Sequence, residues 1–347
     1  MKTTTRLVIL AGLAGFYFYA IAPMLFGVSQ ARESAGQPMA ATERKQMIAL
    51  MLSRLDAYYM LPEKAAEMRK VVEAAEAAGK YEGLTAGAQL ANALTNDLRS
   101  VQRDHHLYVE YKSIVLDPEV PPLGSKPEPG PDQGMLAAGL RSVEGLIRDF
   151  GVTQVSVLDG NVGYLKLNGF LEPYQVASKF GSAMRKLHDT RAMIIDLRNN
   201  HGGSGESVQL LASYFFDQRT RLNDVIFPRE GVTVEGWTSE QLDGPRYGQN
   251  KPVYILTSRG TFSAAEDFAY ALQQQKRAVI VGESTRGGAN AVELFRLSDH
   301  FRFWVPTARA HNVLSNGSWD TTGVKPDLAM AANEALLRTQ DRLAAQR

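Results

Sequence analysis

The sequence predicts an α/β protein in which a small helical bundle precedes a core of parallel strands and helices. Three observations predict it. Apolar residues recur at helical spacing from Ala41 to about Tyr108. A stretch rich in proline and glycine, Leu116 to Gly134, cannot form a packed element. From about Thr153 onward, short apolar runs alternate with amphipathic ones, and strand–helix–strand order argues for parallel strands joined by crossovers. With 347 residues, 44% of them apolar, the chain can bury one large core or two modest ones.

The elements follow in order. Lys2 and Arg6 precede an uncharged run from Leu7 to Val28, and small residues stand at Ser29 and Ala31. This is the pattern of a secretory signal, expected over residues 1–31. The run is also long enough to cross a bilayer, and Pro23 interrupts it, so an inner-membrane anchor is the alternative. Cations ahead of the run keep that end cytoplasmic and send the rest out, to a bacterial periplasm or beyond. Cleavage after Ala31 removes two cations and no acid, turning a formal +1 into −1.

A bundle domain is expected over 41–112. Met47, Leu50, Met51, Leu55 and Tyr58 line one face of its first helix. The second starts near Pro62 and stops at Gly79, and the third runs through "TAGAQLANALTNDLRSVQRD". A linker spans 113–135, and the second domain 136–335. There "VGYLKLNGF", "AMIIDL", "PVYILTS" and "RAVIVGES" read as strands. "EPYQVASKFGSAMRKLH", "ESVQLLASYFF" and "SAAEDFAYALQQQ" read as the helices between them, and "AVELFRL" with "HFRFWVPTA" as a closing hairpin. No internal repeat is visible.

Ligands of such sheets bind beyond the carboxyl ends of the strands, which directs attention to three loops. In "DLRNNHGGSGE", Gly202 and Gly203 free backbone N–H groups for a phosphate, for an oxyanion, or for a simple turn. No Gly-Lys-Ser/Thr follows, which weakens the phosphate reading. In "SRGTFSAAEDF", Ser263 and Glu266 have capping-box spacing, so Ser263 is a helix cap or a nucleophile. "STRGGAN" is a turn or the wall of a groove, with Arg286, Gly287 and Gly288.

The composition narrows the classes. Charges balance, so no field for nucleic acid or an anionic membrane surface is expected. Cysteine is absent, which removes thiolate chemistry and disulfides. The six histidines show no HExxH or other close ligand spacing, so neither a metal nor any other cofactor is expected. The pair His105-His106 closes the third helix, where His suits the negative helix end.

Five segments in order, "GNVGYLKLNGF", "IIDLRNNHGG", "RYGQNKPVYILTSRGTFSAAEDFAYALQ", "KRAVIVGESTRGGAN" and "WDTTGVKPDL", resemble the tail-specific (C-terminal processing) serine peptidase family. The resemblance is closest to its branch with interphotoreceptor retinoid-binding protein and the tricorn core protease, and the helical segment ending "DLRSVQRDHHLYV" resembles that branch's N-terminal domain. A PDZ domain is not expected, since the linker is too short to hold one. The resemblance implies a crotonase-like core and a peptidase acting on peptides or unfolded segments. It implies Ser263 as nucleophile. Relatives with a Ser–Lys dyad carry lysine in the glycine-rich loop; this chain has Arg286, which cannot serve as a base. The branch supplies histidine from the helical domain, which implies His106, with His105 as the neighbour, and an acid near the C-terminus, which implies Asp320. The oxyanion would lie on the N–H groups of Ala264 and of Gly202 or Gly203. A binding protein for a hydrophobic ligand, with Ser263 only a cap, and an esterase are the alternatives.

Overall fold

The computed structural model describes residues 40–113, 115–116 and 151–346. The expected signal segment, nearly all of the linker and the start of the second domain lie outside the described residues.

Three helices open the chain: α1 (Ala41–Tyr58), α2 (Pro62–Ala77) and α3 (Gly87–Val101). Proline at the start of α2 costs no hydrogen bond, because the first N–H of a helix has no partner to lose. Their facing sides bury Met51, Leu55, Met68, Val72, Leu94 and Leu98. The strand β1 (Tyr108–Tyr111) then leaves the bundle and pairs antiparallel with a strand far along the chain.

That partner is β10 (Phe301–Asn312), the spine of one sheet ordered β1-β10-β5-β6, with β9 (Asn290–Arg296) also on β10. Here β5 is Asn223–Phe227 and β6 is Val232–Val234. The hairpin expected near the end is β9–β10, antiparallel with Phe303 opposite Phe295. Phe301, Phe303 and Val305 of β10 belong to the apolar core of the bundle itself. The bundle thus closes its core with side chains contributed by the sheet.

The second sheet has the order β11-β8-β7-β4-β3-β2. Its strands are β2 (Val152–Leu158), β3 (Val162–Leu167), β4 (Ala192–Asp196), β7 (Val253–Thr257), β8 (Val279–Gly282) and β11 (Leu328–Ala329). All neighbours are parallel except the β2–β3 hairpin. Every residue of β4 and β7 is buried, as strands covered on both faces require. One face packs on α4 (Pro173–Leu187), α5 (Gly205–Ala212) and α6 (Ala264–Gln274), around Phe170, Phe180, Phe215 and Phe268. The other packs on α7 (Ala335–Ala344) through Tyr164, Ile194, Tyr254 and Leu256. The loops after β4, β7 and β8 emerge at one end of this sheet, the carboxyl end.

Candidate active site

Ser263 sits at the corner between β7 and α6, with φ 54° and ψ −122°. A side chain in this region costs of order 1–3 kcal/mol of backbone strain and is kept only where its surroundings over-determine it. The surroundings do so through Glu266. Its carboxylate is fully buried and accepts the N–H of Ser263 at 2.9 Å, of Gly287 at 2.6 Å and of Gly288 at 2.9 Å, and the Thr285 hydroxyl at 2.5 Å. Burial pushes the Glu266 carboxyl up to about 7, although these donors pull the other way. Glu266, expected only as the capping-box partner of Ser263, therefore also clamps the glycine-rich loop to the corner.

The loop after β4 closes on the same corner. Asp196 holds Arg198 at 2.6 Å, Phe262 N–H donates to Asn200 O at 3.1 Å, and Thr261 Oγ1 donates to Leu197 O at 2.9 Å. Gly202 has φ 108°, and a Cβ there would stand 2.7 Å from Ser263 Cβ and 3.1 Å from Ala264 N. Only glycine permits this approach. Of the three expected oxyanion donors, the Gly202 N–H is engaged by Asn200 Oδ1 at 2.9 Å. The N–H groups of Gly203 and Ala264 have no hydrogen-bond partner among the described residues.

His106 arrives from the opposite side, in the turn between α3 and β1. Its backbone N–H donates to Asp104 Oδ1 at 2.8 Å, and Asp104 Oδ2 accepts Asn290 Nδ2 of β9 at 2.8 Å. The buried imidazole stacks on Phe262, the residue before Ser263, with ring centres 4.5 Å apart and planes at 28°. A Cβ on Gly288 would stand 2.6 Å from His106 Cε1 and 2.1 Å from Phe262. Burial first, then the charges of Arg286, His105 and Arg99, lower the imidazole to about 3, so it is neutral at ordinary pH. Its Nδ1 is buried without a partner, and no hydrogen bond joins either ring nitrogen to Ser263 among the described residues. His105 is half-buried; burial and then Arg99 lower it too, and its carbonyl accepts from Arg99 at 2.9 Å.

Asp320 lies against the glycine-rich loop, held there by its neighbours. Trp319 Nε1 donates to Gly288 O at 3.0 Å, and Thr321 N–H to Gly287 O at 2.9 Å. The Asp320 carboxylate accepts the Ala289 N–H at 3.3 Å, and the nearby Thr321 N–H and Asn290 amide favour its charged form. Burial, followed by the charge of Asp104, pushes it up to about 6. It makes no hydrogen bond to His106 in this structure. Arg286 is exposed, with its guanidinium 4.8 Å above the Phe262 ring.

The structure thus gathers Ser263, Gly202, Gly203, Ala264, Arg286, Gly287, Gly288 and His106 around Phe262. Asp320 joins through Asn290 and the loop backbone. Sequence reasoning missed Phe262, Asp104 and Asn290. The acid two residues before His106 was a usable local signal, since Asx side chains bond the backbone two residues on. Nothing local marks Asn290 as its partner, 186 residues away. Among the described residues no three His, Asp or Glu side chains cluster as a metal site would.

Residues 161–330 match Peptidase family S41, and residues 40–142 match the N-terminal domain of Peptidase_S41 in eukaryotic IRBP. The chain belongs to peptidase family S41. Among its relatives is the carboxyl-terminal-processing peptidase 2, chloroplastic, of Arabidopsis thaliana, 30% identical over 48% of this chain and 31% of that protein. Another is the carboxyl-terminal-processing protease of Synechocystis sp., 31% identical over 48% of this chain and 37% of that one. The chain spans about a third of the length of these curated relatives. In fold it is similar to a lipoprotein from Streptococcus agalactiae, with a TM-score of 0.57 at 15% identity, covering 89% of this chain and 98% of that one.

Proposed function

We propose that the protein is an exported serine peptidase cutting peptides or unfolded segments, with Ser263 as nucleophile and His106 as base. The observation that carries this reading is the positive φ of Ser263, a non-glycine corner pressed against Gly202 between a buried strand and a helix. A helix cap needs no such conformation, since caps ordinarily take extended backbone. A serine aimed at a reacting carbonyl above a sheet does use one.

In the proposed reaction, Ser263 Oγ attacks the scissile carbonyl carbon while a ring nitrogen of His106 takes the hydroxyl proton. The oxyanion lies on the N–H groups of Ala264 and Gly203, with Gly202 contributing only if Asn200 releases it. The proton then passes to the leaving amine, and an ester on Ser263 remains for water to hydrolyse. Asp320 is the proposed acid of the triad; it reaches Nδ1 of His106 after exchanging its present donors for the imidazole. Arg286, Gly287 and Gly288 line the groove. We further assign the six-stranded sheet and its helices to a crotonase-like core. Retaining or removing the N-terminal segment decides between anchorage and release into the periplasm.

A fluorophosphonate probe tests the reading: the wild type is labelled, and Ser263→Ala and His106→Ala are not. Normal labelling of both variants refutes the assignment. The missing Ser–His hydrogen bond favours a second reading, a binding protein for a hydrophobic ligand. An unlabelled wild type that binds an apolar dye in the groove supports it. Turnover of simple esters but of no peptide would instead mark an esterase.

A further inference from the structure

Several arginines of the catalytic unit are held by acceptors, whereas Arg54 and Arg302, at the meeting of bundle and sheet, have a buried Nε without a partner. Arg198 is paired with Asp196 at 2.6 Å and Arg221 with Asp224 at 2.7 Å, and Arg277 donates to the carbonyls of Phe215 at 2.7 Å and Gly248 at 2.6 Å. Arg286 differs. Among the described residues its guanidinium has no hydrogen-bond acceptor and no carboxylate within 4.0 Å; its one side-chain contact of this kind is the Phe262 ring. Nor is it a loose surface group. Its own N–H donates to Thr261 O at 3.2 Å, and the next two residues are fixed to Glu266. The cation is therefore carried on a rigid loop, and its aromatic support is the residue adjoining Ser263.

Cations gather on its side of the site, while the acids that hold the same loop, Glu266 and Asp320, accept from backbone N–H groups. Arg286 acts on Arg99, His105 and His106, and Arg103 acts on His105. Arg103 is likewise exposed and without an ion pair among the described residues. Asp104 is the acid within range of Arg99, and it already accepts from His106 N–H and Asn290. Five N–H donors in a planar fork, beside a proposed nucleophile and short of an anion, fit a carboxylate.

We propose that Arg286 is a specificity residue that receives a carboxylate of the substrate, within about two residues of the bond cut, given about 3.5 Å of chain per residue. This deepens the peptidase reading and rests on it. The carboxylate comes from an Asp or Glu side chain or from the free end of the peptide. Seated there, it also offsets a cation that faces His106, so the base becomes easier to protonate as the substrate binds.

The test uses four fluorescein-labelled octapeptides: neutral and amidated; neutral with a free C-terminus; amidated with Glu near the centre; amidated with Lys in its place. Binding is measured by anisotropy at low salt to Ser263→Ala, alone and combined with Arg286→Gln or Arg286→Glu. One carboxylate peptide, or both, should bind Ser263→Ala about ten-fold more tightly than the neutral amide, and which one does so names the source. Arg286→Gln should bring that ratio close to one, and Arg286→Glu should turn the preference towards the Lys peptide, a gain that misfolding cannot produce. An unchanged ratio in Arg286→Gln, no carboxylate preference in Ser263→Ala, or no measurable binding of either carboxylate peptide overturns the proposal. Turnover is measured in parallel on the chain with Ser263 intact. If no peptide is cut while the Arg286-dependent ratio persists, the peptidase reading fails and the carboxylate receptor stands.

Discussion

The two halves of the site are built by different forces. The nucleophile half is a hydrogen-bond construction: one buried carboxylate, Glu266, gathers four donors from the corner and the facing loop, and Asn200 ties the corner to the loop after β4. The base half is a packing construction. His106 rests on the Phe262 ring, against Gly288, with Nδ1 unpartnered and one clamp at Asp104. The difference teaches that the serine is set by directional bonds within the core, while the imidazole is set by ring stacking and by how the bundle meets the sheet. Perturbing the Glu266 bonds that hold the first should cost stability and activity together. Perturbing the second should cost activity first.

The largest effect is expected from Ser263→Ala, which removes the nucleophile and should lower kcat/KM by at least about 10⁴-fold with little change in melting temperature. Peptide turnover and thermal melts check it; loss of less than ten-fold would break the assignment of this half. Next, Gly288→Ala places a methyl where Phe262 and His106 already lie. It should displace the imidazole and slow fluorophosphonate labelling about 100-fold, as a misplacement of about 1 Å does, while Ser263 keeps its geometry. Labelling at the wild-type rate would show that the stack does not position the base.

Glu266→Gln is expected to cost about 2 kcal/mol, because an amide turns N–H donors towards donors that now lack an acceptor. Urea unfolding measures it, and a loss near zero would mean that the clamp is dispensable. The smallest effect concerns His106. Its folded pKa is lowered to about 3 from an ordinary 6.5, so between those values the unfolded chain holds a proton that the folded chain lacks. The stability concerned is present above pH 6.5 and is lost as pH falls below it. Between pH 6.5 and 5.5 the wild type should lose about 1 kcal/mol relative to His106→Gln. Asp320, whose carboxyl is raised, has the opposite slope in both proteins, so the comparison between them isolates the imidazole. Parallel melting curves across this range would show the ring to be solvated.

Much of this was legible in the sequence because it is local. The buried runs of β4 and β7, the hairpin β9–β10, the three bundle helices and the order of the three loops all follow from periodicity and turn residues. The rest depends on contacts between distant segments. The β5–β6 hairpin is short, and β1 has four residues whose strand character comes only from pairing with β10. Glu266 is legible as the capping-box partner of Ser263 because that bond spans three residues; its bonds to Thr285, Gly287 and Gly288 are not local. The surroundings of Asp320 were hidden for the same reason. Its donor Ala289 immediately precedes β9, the next residue Asn290 donates to Asp104, and which acid faces which donor is decided by packing.

The strand that follows His106 has a practical meaning for anyone recombining this molecule. Because Tyr108–Tyr111 is stitched to Phe301–Trp304, a cut in the proline-rich stretch would tear away an edge of the other unit's sheet along with the helices. A cut upstream, near Gln102, leaves the imidazole with the sheet but strips the helices of Phe301, Phe303 and Val305, so neither boundary frees a module with a closed core.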